Sequence, residues 1–141
     1  MARADLPGAT IPPPALVSIG EGPAFDLCEL PTPAELAVWR NASPYRIVNL
    51  YIGGNMRACA NRGLNDELIE GLGDAGWRFI PTWVGPQAPC TDYRVKFSAD
   101  VAAAFAQGRA EAVQALAVAQ TLGLTTPAGG ASVIYLSLIH I

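Results

Sequence analysis

Apolar positions along this chain gather into four short runs, separated by segments with helical spacing. Ala24–Cys28 (AFDLC) is a short run holding one acid and reads as a strand. Arg46–Gly54 (RIVNLYIGG) carries Ile47, Val48, Leu50, Tyr51 and Ile52 almost without interruption, as in a strand covered on both faces. Trp77–Gly85 (WRFIPTWVG) and Ala131–Tyr135 (ASVIY) are the third and fourth. Between them lie three predicted helices. In Thr32–Arg40, Thr32 suits an N-cap, Pro33 the first helical position, and Glu35 completes a capping box, with Leu36 and Trp39 on one face. In Asn65–Gly76, Asn65 caps, Asp66 and Glu67 sit on the positive end of the dipole, and Gly76 is the stop. In Ser98–Gly123, Ser98 is the expected cap and Asp100 lies in the first turn. Val101, Phe105, Ala112, Leu116 and Ala119 form an apolar stripe, Gly108 fills its gap, and Gly123 ends the helix.

The order is β-α-β-α-β-α-β. Helical crossovers make the strands parallel, which leaves two architectures: an open doubly wound sheet, or part of a (β/α)8 barrel. A dinucleotide fold places G-x-G-x-x-G in its first tight βα turn, and the first turn here, CELPTP, has no glycine. The glycines of YIGGNMRACANRG have the wrong spacing for a phosphate cradle and suit a tight turn.

Composition narrows the class. The chain is 51% apolar, which argues against disorder, and its net charge of −3 comes with no Lys/Arg cluster, which argues against nucleic acid as partner. No apolar run is long enough to span a membrane. Residues 1–23 are rich in proline and glycine and read as a leader or linker without the apolar segment of a signal peptide. Cys28, Cys59 and Cys90 are widely spaced, so a structural zinc site is not expected.

Four stretches together, FDLC, WRNASPYRIVNLYIGGNMRACANRGL, GWRFIPTWVGPQAPC and ALAVAQTLGL…VIY, resemble the glycoside-hydrolase-like domain of bacterial secreted proteins, which is similar to the family 25 lysozyme-type glycoside hydrolases. The resemblance runs from about Phe25 to Tyr135. It implies an α/β fold, the N-terminal half of a TIM-type (β/α)8 barrel over 24–135, with its site at the C-terminal ends of parallel strands. In that family the fourth strand continues into an acidic D-x-E segment. Here Tyr135 is followed by LSLIHI, whose codons can be spelled CTG TCT CTT ATA CAC ATC, the end of a transposase library adapter. Residues 136–141 are therefore expected to be adapter translation, and with His140 set aside no histidine is left for a Ser-His-Asp or Cys-His site.

Asp26, at the end of the first strand, is the candidate catalytic residue, at the position where the resemblance implies an acid. Glycoside hydrolysis generally uses two carboxylates about 5–9.5 Å apart. Glu29 and Asp92 qualify by chemistry alone and are read in preference as solvated surface residues. Tyr51 and Trp83 can stack on sugar rings or serve the core. Gln87 can bond a polar substrate or organise its loop. Cys59 and Cys90 lie in neighbouring βα loops and are expected to form a disulfide, with Cys28 a buried packing residue.

The expected function is glycosidic-bond hydrolysis of a cell-wall or other polysaccharide by a secreted domain. The expected partner is a carbohydrate or peptidoglycan-like polymer, with no cofactor and no metal. The alternatives are a non-catalytic wall-binding barrel and an open α/β nucleotide-binding domain. As written, four strands leave two open edges, so residues 1–135 are expected to be inactive and insoluble or oligomeric.

Overall fold

A computed structural model describes residues 21–125 and 133–137; residues 1–20 of the expected 1–23 leader, the start of the fourth run and residues 138–141 lie outside the described residues. Seven elements follow in the predicted order: β1 (Ala24–Asp26), α1 (Pro33–Ala42), β2 (Ile47–Gly53), α2 (Asp66–Asp74), β3 (Arg78–Trp83), α3 (Val101–Thr121) and β4 (Tyr135–Leu136). All four strands are parallel and stand side by side in chain order.

Local chemistry starts and stops the first two helices. Thr32 Oγ1 accepts from Glu35 N, and Glu35 Oε2 accepts from Thr32 N at 2.8 Å, which closes the capping box on α1. Asn65 Oδ1 accepts from Leu68 N at 2.8 Å at the start of α2, and Gly76 follows its end at φ +88.

The helices share one face of the sheet. Leu36 of α1 and Leu72 of α2 pack with Val48 and Trp77. Ile69 of α2 and Ala115 and Ala119 of α3 pack with Leu50, Ile52 and Trp83. Val48, Leu50 and Ile52 alternate along β2, so they point to the same side, and that side is the one all three helices cover. A doubly wound sheet carries helices on both faces. The one-sided arrangement is compatible with a partial TIM-type fold.

Alpha3 departs from expectation twice. Its N-cap is Asp100, whose Oδ1 accepts from Ala103 N at 2.8 Å, and Ser98 instead accepts from Asp100 N. Most of its large apolar residues do not face the sheet: Val101 is 83% exposed and Phe105 68%, with Val113 and Leu116 also outward, while Val118 packs half-buried against the core. Ala115 and Ala119 are the buried pair, and Ala104 and Gly108 lie half-buried on the same stripe. Small side chains let the helix axis approach the sheet.

Close approach also explains the glycine pair after β2. A Cβ on Gly53 would meet the Trp83 ring at 2.3 Å. Gly54, at φ +103, would meet the Val84 carbonyl oxygen at 2.1 Å. Here β2 bulges against β3, and both positions exclude any larger residue.

Candidate functional site

The sheet face turned away from the helices carries the polar residues of the strands. Asp26 pairs in register with Asn49, and Tyr51 with Thr82, so the four share that face near the C-terminal strand ends. Their side chains join. Tyr51 Oη donates to Asp26 Oδ2 at 2.9 Å. Asn49 Nδ2 donates to Asp26 Oδ1 at 3.1 Å, and Thr82 Oγ1 donates to Asn49 Oδ1. Asp26 is exposed, Asn49 and Tyr51 are half-buried, and Thr82 is buried, so the group runs from the core edge to solvent. Partial burial, and then the hydrogen bond and charge of Asp26, push the Tyr51 phenol above its ordinary value of 10.0, against a smaller opposing effect of Asn49. Tyr51 therefore stays a neutral donor.

The rim beside Asp26 is tied down. Glu29 accepts from Ala60 N and Asn61 N, both at 3.0 Å. Asn61, in the left-handed region at φ +46, accepts from Leu30 N at 2.7 Å and donates to the Cys28 and Tyr51 carbonyls. Arg57 Nη1 donates to the Tyr51 carbonyl at 3.1 Å. A disulfide between Cys28 and Cys59, with Cα atoms 5.5 Å apart, closes the same seam.

This pairing corrects the expected Cys59–Cys90 bridge, and Cys28 is neither buried nor a simple packing residue. The loop after β2 leans over β1 because Glu29 and Asn61 draw it there. The loop after β3 is closed on itself: Gln87 N donates to the Val95 carbonyl at 2.9 Å, Phe97 N to the Gln87 carbonyl at 2.8 Å, and Thr91 N and Oγ1 to the Ala88 carbonyl. Cys90 rides on that loop as an exposed free thiol.

Two other expected site residues do not join the group. Trp83 is buried in the helix-side core, and its Nε1 donates to Glu111 Oε2 at 2.6 Å. Trp83 follows Thr82 along β3, so alternation turns this ring to the helix side, away from the strand-end face. Gln87 is fully buried, and its Nε2 donates to the Gly85 carbonyl at 2.9 Å and the Ser137 carbonyl at 3.2 Å, which makes it a loop organiser. Glu29 serves the rim, and Asp92 lies exposed in the loop after β3. Asn49 and Thr82 are additions. Their trace in the sequence is a polar residue interrupting an apolar run at each place.

Among the described residues, no group of acidic, cysteine or histidine side chains could hold a metal ion, and no helix is long and apolar enough to cross a membrane. Asp26 is the one carboxylate that the described strands carry.

Parallel strands in chain order, helices on one face and a hydrogen-bonded carboxylate at the strand ends of the other define an α/β domain compatible with a partial TIM-type fold. The model of the Rv2525c-like, glycoside hydrolase-like domain matches residues 37–138, and the chain belongs to that family. The match begins within α1, so Asp26 and Cys28 precede it. No curated protein and no solved structure matches the chain.

Proposed function

We propose that this domain binds a carbohydrate polymer, of the cell-wall type, on the strand-end face around Asp26. In the complete barrel, this face hydrolyses a glycosidic bond with Asp26 as one of its acidic groups. One observation carries the reading: both Asp26 oxygens are held by donors from β2 at an exposed strand end, on the face the helices leave free. Strand ends are where barrel enzymes assemble their chemistry, and family membership supports a carbohydrate as the partner. The Cys28–Cys59 disulfide supports export to an oxidising compartment.

The second reading is a binding module without catalysis. It is favoured by the single carboxylate on the described strands, because glycoside hydrolysis generally takes two. Incubation with purified peptidoglycan separates the two. Release of new reducing ends that Asp26→Asn abolishes supports hydrolysis. Co-sedimentation without release, lost in Asp26→Asn, supports the module. Neither co-sedimentation nor release overturns both.

A further inference from the structure

We propose that Asn49 and Thr82 are positioning residues for Asp26, forming with it a one-directional hydrogen-bonded relay across β3, β2 and β1. The inference rests on the carbohydrate reading for the nature of the ligand; the relay itself stands on the geometry.

The direction of the relay follows from donor and acceptor chemistry. An ionised carboxylate accepts and does not donate, so the amide of Asn49 must turn its NH2 toward Asp26. Its carbonyl oxygen then faces Thr82, whose hydroxyl has one proton and gives it to that oxygen. Thr82 is buried and Asn49 half-buried, so a flipped amide would set oxygen against oxygen on one side, with little water to compensate. Tyr51 loads the second oxygen of Asp26 from the same strand. Each carboxylate oxygen has about two lone-pair sites. One per oxygen is occupied from β2, and those remaining on exposed Asp26 are left for donors outside the protein. Ring hydroxyls of a sugar are donors of that kind. Thr82 never meets the ligand, yet it decides how Asp26 meets it.

The test reads the relay and the ligand separately, on the full chain. In isotope-labelled protein, the side-chain amide resonances of Asn49 report its hydrogen bonds. Thr82→Val keeps the shape of the side chain and removes the hydroxyl; it should move those resonances, and Thr82→Ser should restore them. Unchanged Asn49 resonances in Thr82→Val would overturn the relay. Binding is measured by titration with a soluble chitooligosaccharide and by co-sedimentation with peptidoglycan. Thr82→Val and Asn49→Leu should weaken binding about tenfold, and Thr82→Ser should stay within about twofold of the unsubstituted chain. Unsubstituted protein that binds neither glycan would sink the carbohydrate reading, and the amide resonances would then decide the relay alone. Glycan binding unaffected in Thr82→Val would overturn the positioning role.

Discussion

Trp83 Nε1 donates to the Glu111 carboxylate at 2.6 Å, across the layer between β3 and α3. Glu111 is the acidic member of the inward stripe of α3, and a Cβ on nearby Gly85 would come within 2.6 Å of its Oε2. The bond gives a buried indole its acceptor and fixes how α3 sits on the sheet. Replacing Glu111 with leucine strands the indole N–H and should cost roughly 1–3 kcal/mol. Glu111→Gln keeps an acceptor and should cost less. Urea unfolding followed by tryptophan fluorescence checks both, and equal stability of Glu111→Leu and the parent chain would refute the role.

Removing the Cys28–Cys59 bridge should be costly. It closes a sequence separation of 31 residues, for which chain entropy gives about 3–4 kcal/mol. The Cys28→Ser, Cys59→Ser pair should melt well below the oxidised parent, whereas Cys90→Ser should melt with it. Peptide mapping without reductant should recover the 28–59 crosslink and an alkylated Cys90. A 59–90 crosslink would contradict the structure.

Tyr51 should titrate above the ordinary tyrosine value of 10.0. Its neutral phenol is favoured by partial burial first and by the Asp26 carboxylate second. The folded value lies above the unfolded one, so the stabilising contribution is fully present below pH 10.0 and is lost as pH rises through the folded value. In Asp26→Asn the Tyr51 step should move down but remain raised, because burial persists. Tyrosinate absorbance, with Tyr51→Phe as the difference, reads this. An upward move would refute the assignment.

The capping box makes a pH prediction of opposite sign. Hydrogen bonds from the Thr32 backbone and side chain hold the Glu35 carboxyl below its ordinary 4.5. Its contribution is therefore present above that value and disappears as pH falls through the lowered one. Thr32→Ala should lose about 1 kcal/mol near neutral pH. The gap between Thr32→Ala and the parent should narrow in acid. Thermal melts across the acid range provide the check.

What could be read in the sequence was what short-range chemistry decides. Thr32 with Glu35, Asn65 with Asp66, and the stops at Gly76 and Gly123 act within one turn, and they placed the helix boundaries. At Ser98 and Asp100 two capping side chains compete two residues apart, and the acid takes the helix N–H. The buried side of α3 was legible only at Ala119, because bulk apolar character pointed to Val101, Phe105 and Leu116 while the sheet required Ala115 beside Ala119. The disulfide partner was illegible too, since the lean of one loop depends on Glu29 and Asn61, which gather groups 31 to 33 residues apart. Of the expected site, Asp26 and Tyr51 come together, and Trp83 and Gln87 turn inward.

The alternation along β2 has a consequence for how such a domain can change over generations. Asn49 and Tyr51 interleave with Val48, Leu50 and Ile52, so neighbouring codons serve different faces of the sheet. Substitution at Asn49 or Tyr51 changes the hydrogen bonds to Asp26 and leaves the helix-side layer intact. Substitution at Val48, Leu50 or Ile52 changes durability and leaves those polar side chains in place. A single-codon insertion or deletion within the strand would exchange the two parities at once, so this short segment tolerates drift in letters far better than drift in length.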